Sequence, residues 1–478
     1  MQPSTRTRVV RIGLGIVVVA GALSVVHFTV GGFDTTVLGI RIRSNDPMRP
    51  FLVCVLALLV VALALKGPRY AIDQTARVAR VPTLPLACLL AAVVFGFGVR
   101  WNMNAATGPD PYGYVSQAEL WLNGTLTVDQ PWVASAPWPD PAWSFSPLGY
   151  RPRGIPRDGK VVEDLTSLSP TYSPGLPMLM AVAKRIAGQA GLFAVVPLLG
   201  AALVLATYGI GRRLGSPAAG LLAGWLTATS PILLFMIVFP MSDVPVAGAW
   251  AIATWCLLGA SGGSALAAGA AAGIAVLIRP NLVPVAGIMG LWLLLRIWRR
   301  DKSFGAGLRH AAIFAVGLAP GVAAVALLNR FWYGSPFMNG YGQLSTLFAW
   351  SNIPLNAPFY AGLFIEAQTP FALLGVVALF LPRLWSGAAS DRTWAAGLFA
   401  ACFAFIAGVY LPYEHFDGWS FLRFLLPVWP FVMIAFGMAA TEIWRRQCGG
   451  TAGDGSGPDV QRPGFPLRSR ASGLRVSN

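Results

Sequence analysis

Four charged residues stand at or near the ends of long apolar segments, where side chains of their type could carry out chemistry beside a membrane: Asp110, Asp243, Arg279 and Arg423. A carboxylate can take the proton from a reacting hydroxyl group. A guanidinium group presents paired donors that match phosphate oxygens. Structural roles are equally open at this point, because aspartate is a favoured N-cap of helices and long basic side chains can reach from an apolar segment to the lipid headgroups.

The segments that carry these residues are apolar enough to cross a membrane. The 478-residue sequence is 55% hydrophobic and 11% charged, with a mean hydropathy of +0.62, whereas a soluble domain carries about 25% charged residues. Apolar runs of about 18 residues, the length that spans about 30 Å of hydrocarbon, recur along the chain. We therefore predict an all-α polytopic membrane protein with about twelve transmembrane helices, at residues 12–30, 51–66, 84–100, 191–210, 217–238, 244–260, 264–280, 282–298, 311–329, 358–381, 394–411 and 424–443. The pair at 264–280 and 282–298 could instead be one broken helix, because Pro280 stands at the junction.

The basic residues indicate how these helices are oriented. The net charge is +16, and the Lys and Arg residues stand mostly between the apolar segments. With the N-terminus inside, the inner connections hold most of them, as the positive-inside rule requires. The charge is thus explained by topology and anionic lipid, and we expect no nucleic-acid partner. A composition rich in Ala and Arg favours the plasma (inner) membrane of a bacterium, crossed many times.

The spacing of the segments divides the chain into three parts. Residues 1–83 hold two N-terminal transmembrane helices and a cytoplasmic loop, residues 84–443 form the main bundle, and residues 444–478 form a disordered cytoplasmic tail. The bundle includes one large extracytoplasmic loop, residues 101–190. Only 19 residues are Asp or Glu, and none stands clearly at the middle of a predicted helix. An ion-coupled carrier usually needs such a group, so the sequence favours an enzyme that works at the membrane surface.

The large loop begins with residues that start a helix. Asp110 suits an N-cap and Pro111 the first turn, and the apolar and aromatic positions of 112–122 predict an amphipathic helix at the interface. A proline-rich stretch, 170–177, leads into a short apolar segment, 178–187. We expect this segment to lie at the interface rather than to span, because two basic residues interrupt it, Lys184 and Arg185.

Short motifs along the chain resemble, in order, those of the GT-C glycosyltransferases, in particular the branch of protein mannosyltransferases and aminoarabinose transferases. The motifs are Asp110-Pro111-Tyr112-Gly113-Tyr114, the stretch 170–177 with Tyr172, Ser242-Asp243-Val244-Pro245, Arg279-Pro280-Asn281 and Arg423-Phe424-Leu425-Leu426-Pro427. The resemblance covers roughly residues 84–443. Two features depart from it: two helices precede the usual first one, and Pro111 stands where relatives often carry a second acid.

The resemblance implies an inverting transfer of a sugar from a polyprenyl-phosphate donor to an acceptor hydroxyl on the extracytoplasmic face. It implies Asp110 as general base and Asp243 as a second catalytic candidate. Substrate binding would fall to Tyr114, Tyr172, Arg279, Arg423, Lys184 and Arg185. The departure at Pro111 puts a paired-carboxylate metal site in doubt, and a divalent metal stays open as a cofactor.

Two other functions remain open on the sequence. The chain could carry a lipid or a polyprenol-linked substrate without chemistry, or it could be a non-catalytic membrane scaffold for envelope assembly. Replacing Asp110 by Asn separates these cases, because an enzyme should lose transfer and a carrier should tolerate the change. The sequence leaves the sugar, the acceptor and the oligomeric state open.

Overall fold

The computed structural model describes residues 11–23, 33–37, 40–44, 50, 53–54, 57, 61, 82–259, 261–342, 347–368, 372–386 and 389–449. Most of the predicted helix at 51–66 and the predicted tail from 450 onward lie outside these residues, as does the end of the predicted helix at 12–30. The chain forms two compact units, one made of 1–72 with 444–478 and the other of 73–443. The first unit contains helix α1 (Arg11–Leu23) and the antiparallel hairpin of β1 (Phe33–Val37) and β2 (Ile40–Ser44).

The second unit is a helical bundle. Its long helices are α2 (Thr83–Arg100), α5 (Gly175–Leu214), α8 (Asp243–Leu257), α9 (Gly262–Ile278), α10 (Val283–Asp301), α11 (Phe304–Tyr333), α14 (Ala389–Tyr410) and α15 (Trp429–Gly449). Helix α5 is kinked at Ala187 and Gly188, whose backbone angles are not helical, so it consists of two helices. Within the described residues, six helical segments are long and apolar enough to cross a membrane, or seven if one bent pair is counted. Shorter apolar helices, α8 and α9 among them, complete the bundle. The polytopic helical membrane fold agrees with the prediction, and the number twelve is not confirmed.

Some predicted helices are broken. The segment 217–238 forms α6 (Pro217–Ala228) and α7 (Pro231–Met236), because Pro231 lacks the amide hydrogen that a continuous helix needs there. The segment 358–381 falls within α12 (Ile353–Gln368) and α13 (Ala372–Phe380), a pair of helices bent by 117°. The pair that could have been one broken helix forms two helices, α9 and α10, which a 3-10 turn (Pro280–Leu282) separates.

The large loop contains a sheet that the sequence analysis missed. The predicted helix is present as α3 (Pro109–Leu122), and a short helix α4 (Pro141–Ser144) follows. Strands β3 (Val128–Asp129), β4 (Tyr150–Arg157) and β5 (Lys160–Pro170) then form an antiparallel sheet in the order β3-β5-β4. Asp158 and Gly159 join β4 to β5 with φ of 49° and 75°, and two consecutive residues with positive φ are typical of the tightest hairpin turn. The Asp-Gly pair was the signal in the sequence for this hairpin.

Close backbone approaches hold this loop against the bundle. A Cβ atom at Gly175, where α5 begins, would lie 2.5 Å from the amide nitrogen of Ile278 at the end of α9. A Cβ atom at Gly340 would lie 2.0 Å from the carbonyl oxygen of Thr171. Since real Cβ atoms do not come this close to backbone atoms, both positions require glycine. These two glycines allow the end of β5, the start of α5 and the end of α9 to meet in the wall of a cavity.

Candidate active site

The two acidic candidates, Asp110 and Asp243, lie in the first turns of α3 and α8. Neither side chain caps its helix, because Gly108 and Ser242 are the N-cap residues and no side-chain capping bond is formed. The helix start still favours their negative charge, since free amide groups give this end a partial positive charge. The N-cap role is therefore excluded for both side chains, and each carboxylate contacts other residues instead.

Asp110 is held by two side chains from distant parts of the chain. Its Oδ1 accepts a hydrogen bond from the Tyr172 hydroxyl at 2.5 Å, and its Oδ2 accepts one from Nη2 of Arg423 at 3.2 Å. The Asp110 side chain is 33% exposed. Its carboxylate is thus fixed in direction by a phenol and a guanidinium, yet stays open to solvent.

Asp243 has a different environment. Its side chain is 1% exposed, and its Oδ1 accepts a hydrogen bond from Nη2 of Arg279 at 2.7 Å. Its Oδ2 lies 3.9 Å from Nε of Arg423, which is too long for a hydrogen bond and close enough for charge attraction. Arg423 therefore stands between the two carboxylates and links the pair around Asp110 to the pair around Asp243.

Arg279 is the centre of a second set of contacts. Its Nη2 also donates to Ser242 Oγ at 3.0 Å, and its Nη1 donates to the Tyr410 hydroxyl at 3.3 Å. The Tyr114 hydroxyl donates to the same Ser242 Oγ at 2.9 Å. Residues from α3, α8, α9 and α14 therefore meet around one guanidinium group.

Burial raises the pKa of two tyrosines in the loop well above the ordinary value. For Tyr172, burial acts together with the negative charge of Asp110, to which the phenol donates. For Tyr114, burial outweighs the opposing effect of the nearby Arg279. Both hydroxyls therefore stay protonated at neutral pH, and both act as hydrogen-bond donors within the site.

These residues line a cavity of about 1450 Å³. The polar lining includes Asp110, Tyr114, Tyr172, Asp243, Arg279, Asn281, Tyr410 and Arg423. Apolar side chains from several helices form much of the remaining wall, among them Phe235, Phe239, Val276, Val322, Val409 and Phe416. Residues 336–341 add a further wall segment, where Arg151 of β4 donates to the Gly340 carbonyl at 3.1 Å. A charged centre with a long apolar wall suits a ligand that has an anionic head and an apolar chain.

Two predicted substrate-binding residues do not reach the cavity. Lys184 forms an ion pair with Glu119 of α3, and neither Lys184 nor Arg185 belongs to the cavity lining. The sequence analysis also missed Tyr410, which ends α14 and contacts Arg279. A tyrosine at the end of an apolar segment was a signal for it, although such residues are also typical of the membrane interface.

The donor set of the site does not suit a resident divalent metal. In the part of the chain that the structure describes, no group of three or more His, Cys, Asp or Glu side chains could hold a metal ion. The two carboxylates of the cavity, Asp110 and Asp243, each face a guanidinium group, whose positive charge competes with a cation.

Comparison with solved structures gives distant matches. ArnT from Cupriavidus metallidurans bound to undecaprenyl phosphate matches with 17% identity and a TM-score of 0.49, over 75% of this chain and 60% of that chain. The Archaeoglobus fulgidus oligosaccharyltransferase in complex with Zn and sulfate matches with 12% identity and a TM-score of 0.43, over 75% of this chain and 50% of that chain. The arabinosyltransferase EmbB from Mycobacterium smegmatis matches with 14% identity and a TM-score of 0.38, over 84% of this chain and 34% of that chain. This chain thus spans about three fifths or less of each of these proteins.

The sequence itself matches one family model. No curated protein sequence gives a significant match. The model described as dolichyl-phosphate-mannose-protein mannosyltransferase matches residues 171–323. The matched range contains Tyr172, Asp243 and Arg279 of the cavity. This match confirms that the chain resembles the membrane glycosyltransferases of the GT-C superfamily.

Proposed function

We propose that the protein is an integral membrane glycosyltransferase that moves a sugar from a polyprenyl-phosphate donor to an acceptor hydroxyl on the extracytoplasmic face. The observation that carries this proposal is the meeting of Asp110, Arg423, Asp243 and Arg279 in one cavity, although 313 residues separate Asp110 from Arg423. The matching family model, whose description names dolichyl-phosphate mannose, supports the class of donor.

In the proposed reaction, Asp110 is the general base. Its carboxylate takes the proton from the acceptor hydroxyl as that oxygen forms a bond to the anomeric carbon of the sugar. The bond from the anomeric carbon to the phosphate oxygen breaks, and the phosphate remains on the polyprenyl chain. Attack from the side opposite the leaving phosphate inverts the anomeric carbon. Tyr172 keeps the Asp110 carboxylate in position, because its hydroxyl donates to Oδ1 while Oδ2 faces Arg423.

The leaving phosphate gains negative charge, which fixed cations stabilise. Arg279 and Arg423 supply these cations, and their guanidinium forks match phosphate oxygens. Asp243 is too buried, at 1% exposure, to meet an acceptor. We therefore assign it a positioning role, in which it orients Arg279 and attracts Arg423.

Helix direction supports an extracytoplasmic cavity. Helix α10 begins at the cavity with Val283 and carries Arg299 and Arg300 in its last turn. A rise of 1.5 Å per residue puts that turn about 25 Å away from the cavity. A basic end is typical of the cytoplasmic side of a membrane helix, which supports a cavity on the other side, where envelope acceptors lie.

The test is a complementation experiment with lipid analysis. A strain without the gene should accumulate a polyprenyl-phosphate sugar, and the wild-type gene should clear it. Asp110→Asn should fail to clear it, because loss of a general base lowers the rate about 10²- to 10⁴-fold. The matched control is Asp129→Asn, an exposed carboxylate of β3 outside the cavity lining. Clearance by Asp110→Asn at the wild-type rate would refute the proposed base, and a strain that accumulates no donor would favour the carrier or the scaffold.

A further inference from the structure

Tyr410 lies deep in the cavity wall, at the last position of α14. Its side chain is buried, with a residue exposure of 3%, and its ring stacks on Phe424 with centroids 5.0 Å apart and an interplanar angle of 7°. This stacking fixes the direction of the phenol. The hydroxyl group is held at the cavity wall beside Arg279.

The hydrogen bonds of this hydroxyl leave its proton free. Nη1 of Arg279 and Nδ2 of Asn281 both donate to the Tyr410 oxygen, at 3.3 Å and 3.2 Å. A tyrosine oxygen has two acceptor positions and one hydrogen, so both acceptor positions are filled. No side chain or carbonyl group among the described residues accepts the remaining hydrogen. A buried donor without an acceptor is costly, and the cavity is the place from which an acceptor can come.

The neighbours of Tyr410 indicate which acceptor this is. Arg279, Asn281 and Tyr410 all line the cavity, and Arg279 and Asn281 turn nitrogen-bound hydrogens toward the Tyr410 oxygen. A sugar hydroxyl would bring its own hydrogen into this region, where it would need an acceptor as well. The oxygens of an ionised phosphate only accept, and hydrogen bonds to a charged group are the stronger kind.

We propose that Tyr410 donates a hydrogen bond to a phosphate oxygen of the polyprenyl-phosphate donor and, with Arg279 and Asn281, forms its phosphate subsite. This inference rests on the proposed function and adds a residue that binds the leaving group. No proton moves at Tyr410 during the reaction. As the bond between the anomeric carbon and the phosphate oxygen breaks, the phosphate gains charge and the hydrogen bond strengthens.

The experiment measures binding of undecaprenyl phosphate and of undecaprenol to the full chain in nanodiscs. Tyr410→Phe keeps the stacked ring and removes the hydroxyl, so it should bind undecaprenyl phosphate at least about tenfold more weakly. Its affinity for undecaprenol, which lacks the phosphate, should not change. The matched control is Tyr208→Phe, because that phenol is equally buried and bonds to Thr83 Oγ1 at 2.9 Å away from the cavity lining.

A second variant tests the proton directly. In Asn281→Asp a carboxylate oxygen would accept the Tyr410 hydrogen and repel the phosphate, so this variant should weaken undecaprenyl phosphate binding more than Asn281→Ala does. Wild-type affinity in Tyr410→Phe would overturn the inference while leaving the proposed function intact. Equal loss of undecaprenol binding would also overturn it, because the ring rather than the hydroxyl would then matter. If the wild-type chain binds neither lipid, the donor assignment itself fails. Displacement of the lipid by micromolar inorganic phosphate would assign the subsite to free phosphate instead.

Discussion

The buried pair of Asp243 and Arg279 allows a prediction that does not depend on the substrate. Asp243→Asn keeps the size and shape of the side chain and removes its charge. The guanidinium of Arg279 is 14% exposed and loses its charged partner at 2.7 Å. It keeps Ser242 and Tyr410 as neutral hydrogen-bond partners.

The expected cost follows from these contacts. Removal of one partner from a buried ion pair costs about 3–5 kcal/mol, because the other charge is left buried. The asparagine oxygen can still accept a neutral hydrogen bond, worth about 1 kcal/mol. We therefore expect Asp243→Asn to lower the free energy of unfolding by about 2–4 kcal/mol.

A double-mutant cycle measures this pair. The free energy of unfolding is determined in one detergent for the wild type, Asp243→Asn, Arg279→Gln and the double variant. Because the two single changes remove the same interaction, the double variant should be more stable than their sum predicts, by about 1–3 kcal/mol. Polyprenyl-phosphate binding should be lost in Arg279→Gln and should not return in the double variant, because the phosphate needs the guanidinium.

One result would refute the structural reasoning. If the effects of Asp243→Asn and Arg279→Gln on the free energy of unfolding add without a coupling term, the two side chains do not form a pair in the folded protein. If Asp243→Asn is as stable as the wild type, its carboxylate is not buried against a cation. In either case the positioning role of Asp243 fails, whatever the activity of the variant.

Three further changes test other parts of the site. Tyr172→Phe should lower the transfer rate several-fold. The pH profile of the wild-type rate should show no inflection from Tyr172 near neutral pH, because burial and Asp110 raise the pKa of this phenol and keep it protonated. An inflection near neutral pH that is present in the wild type and absent in the variant would contradict this. Gly340→Ala should destabilise the protein by about 1–3 kcal/mol, as overpacked contacts do, and should raise the Michaelis constant for the acceptor. The control is Gly96→Ala, where no atom lies within 4 Å of the new Cβ, and it should change neither the stability nor the Michaelis constant. Lys184→Ala should leave polyprenyl-phosphate binding unchanged, since an exposed ion pair contributes less than about 1 kcal/mol; a fall in affinity would restore the predicted binding role.

The order of motifs along the chain predicted which residues meet. Asp110 and Arg423 stand at opposite ends of the bundle sequence, and only the alternation of apolar segments indicated that both belong to one side of the membrane. The structure brings them to 3.2 Å. Hydrophobic periodicity therefore carries information about distant contacts in a membrane protein, because each helix must return the chain to one of two surfaces.

Other features of the site could not be predicted in this way. Lys184 was expected near the phosphate because of its type and its segment, but Glu119 lies on the neighbouring helix and pairs with it. Helix spacing does not reveal which partner a flexible basic side chain will choose. The hairpin at Asp158-Gly159 was not predicted, because Pro152 and Pro156 stand in the segment before this turn and proline within a segment argues against a strand.

Burial separates the two aspartates, both of which the sequence analysis named as catalytic candidates. Both begin helices, both are held by arginine and both line the cavity. Asp110 is 33% exposed and can receive a proton from a substrate that enters the cavity, whereas Asp243 is 1% exposed. A base must reach the atom from which it takes the proton, and a residue that orients two guanidinium groups is most effective where water cannot weaken its charge. Under the proposed function, an aspartate therefore serves as base in one position and as support in the other. Arg423, which lies 3.2 Å from the first carboxylate and 3.9 Å from the second, would couple the two roles.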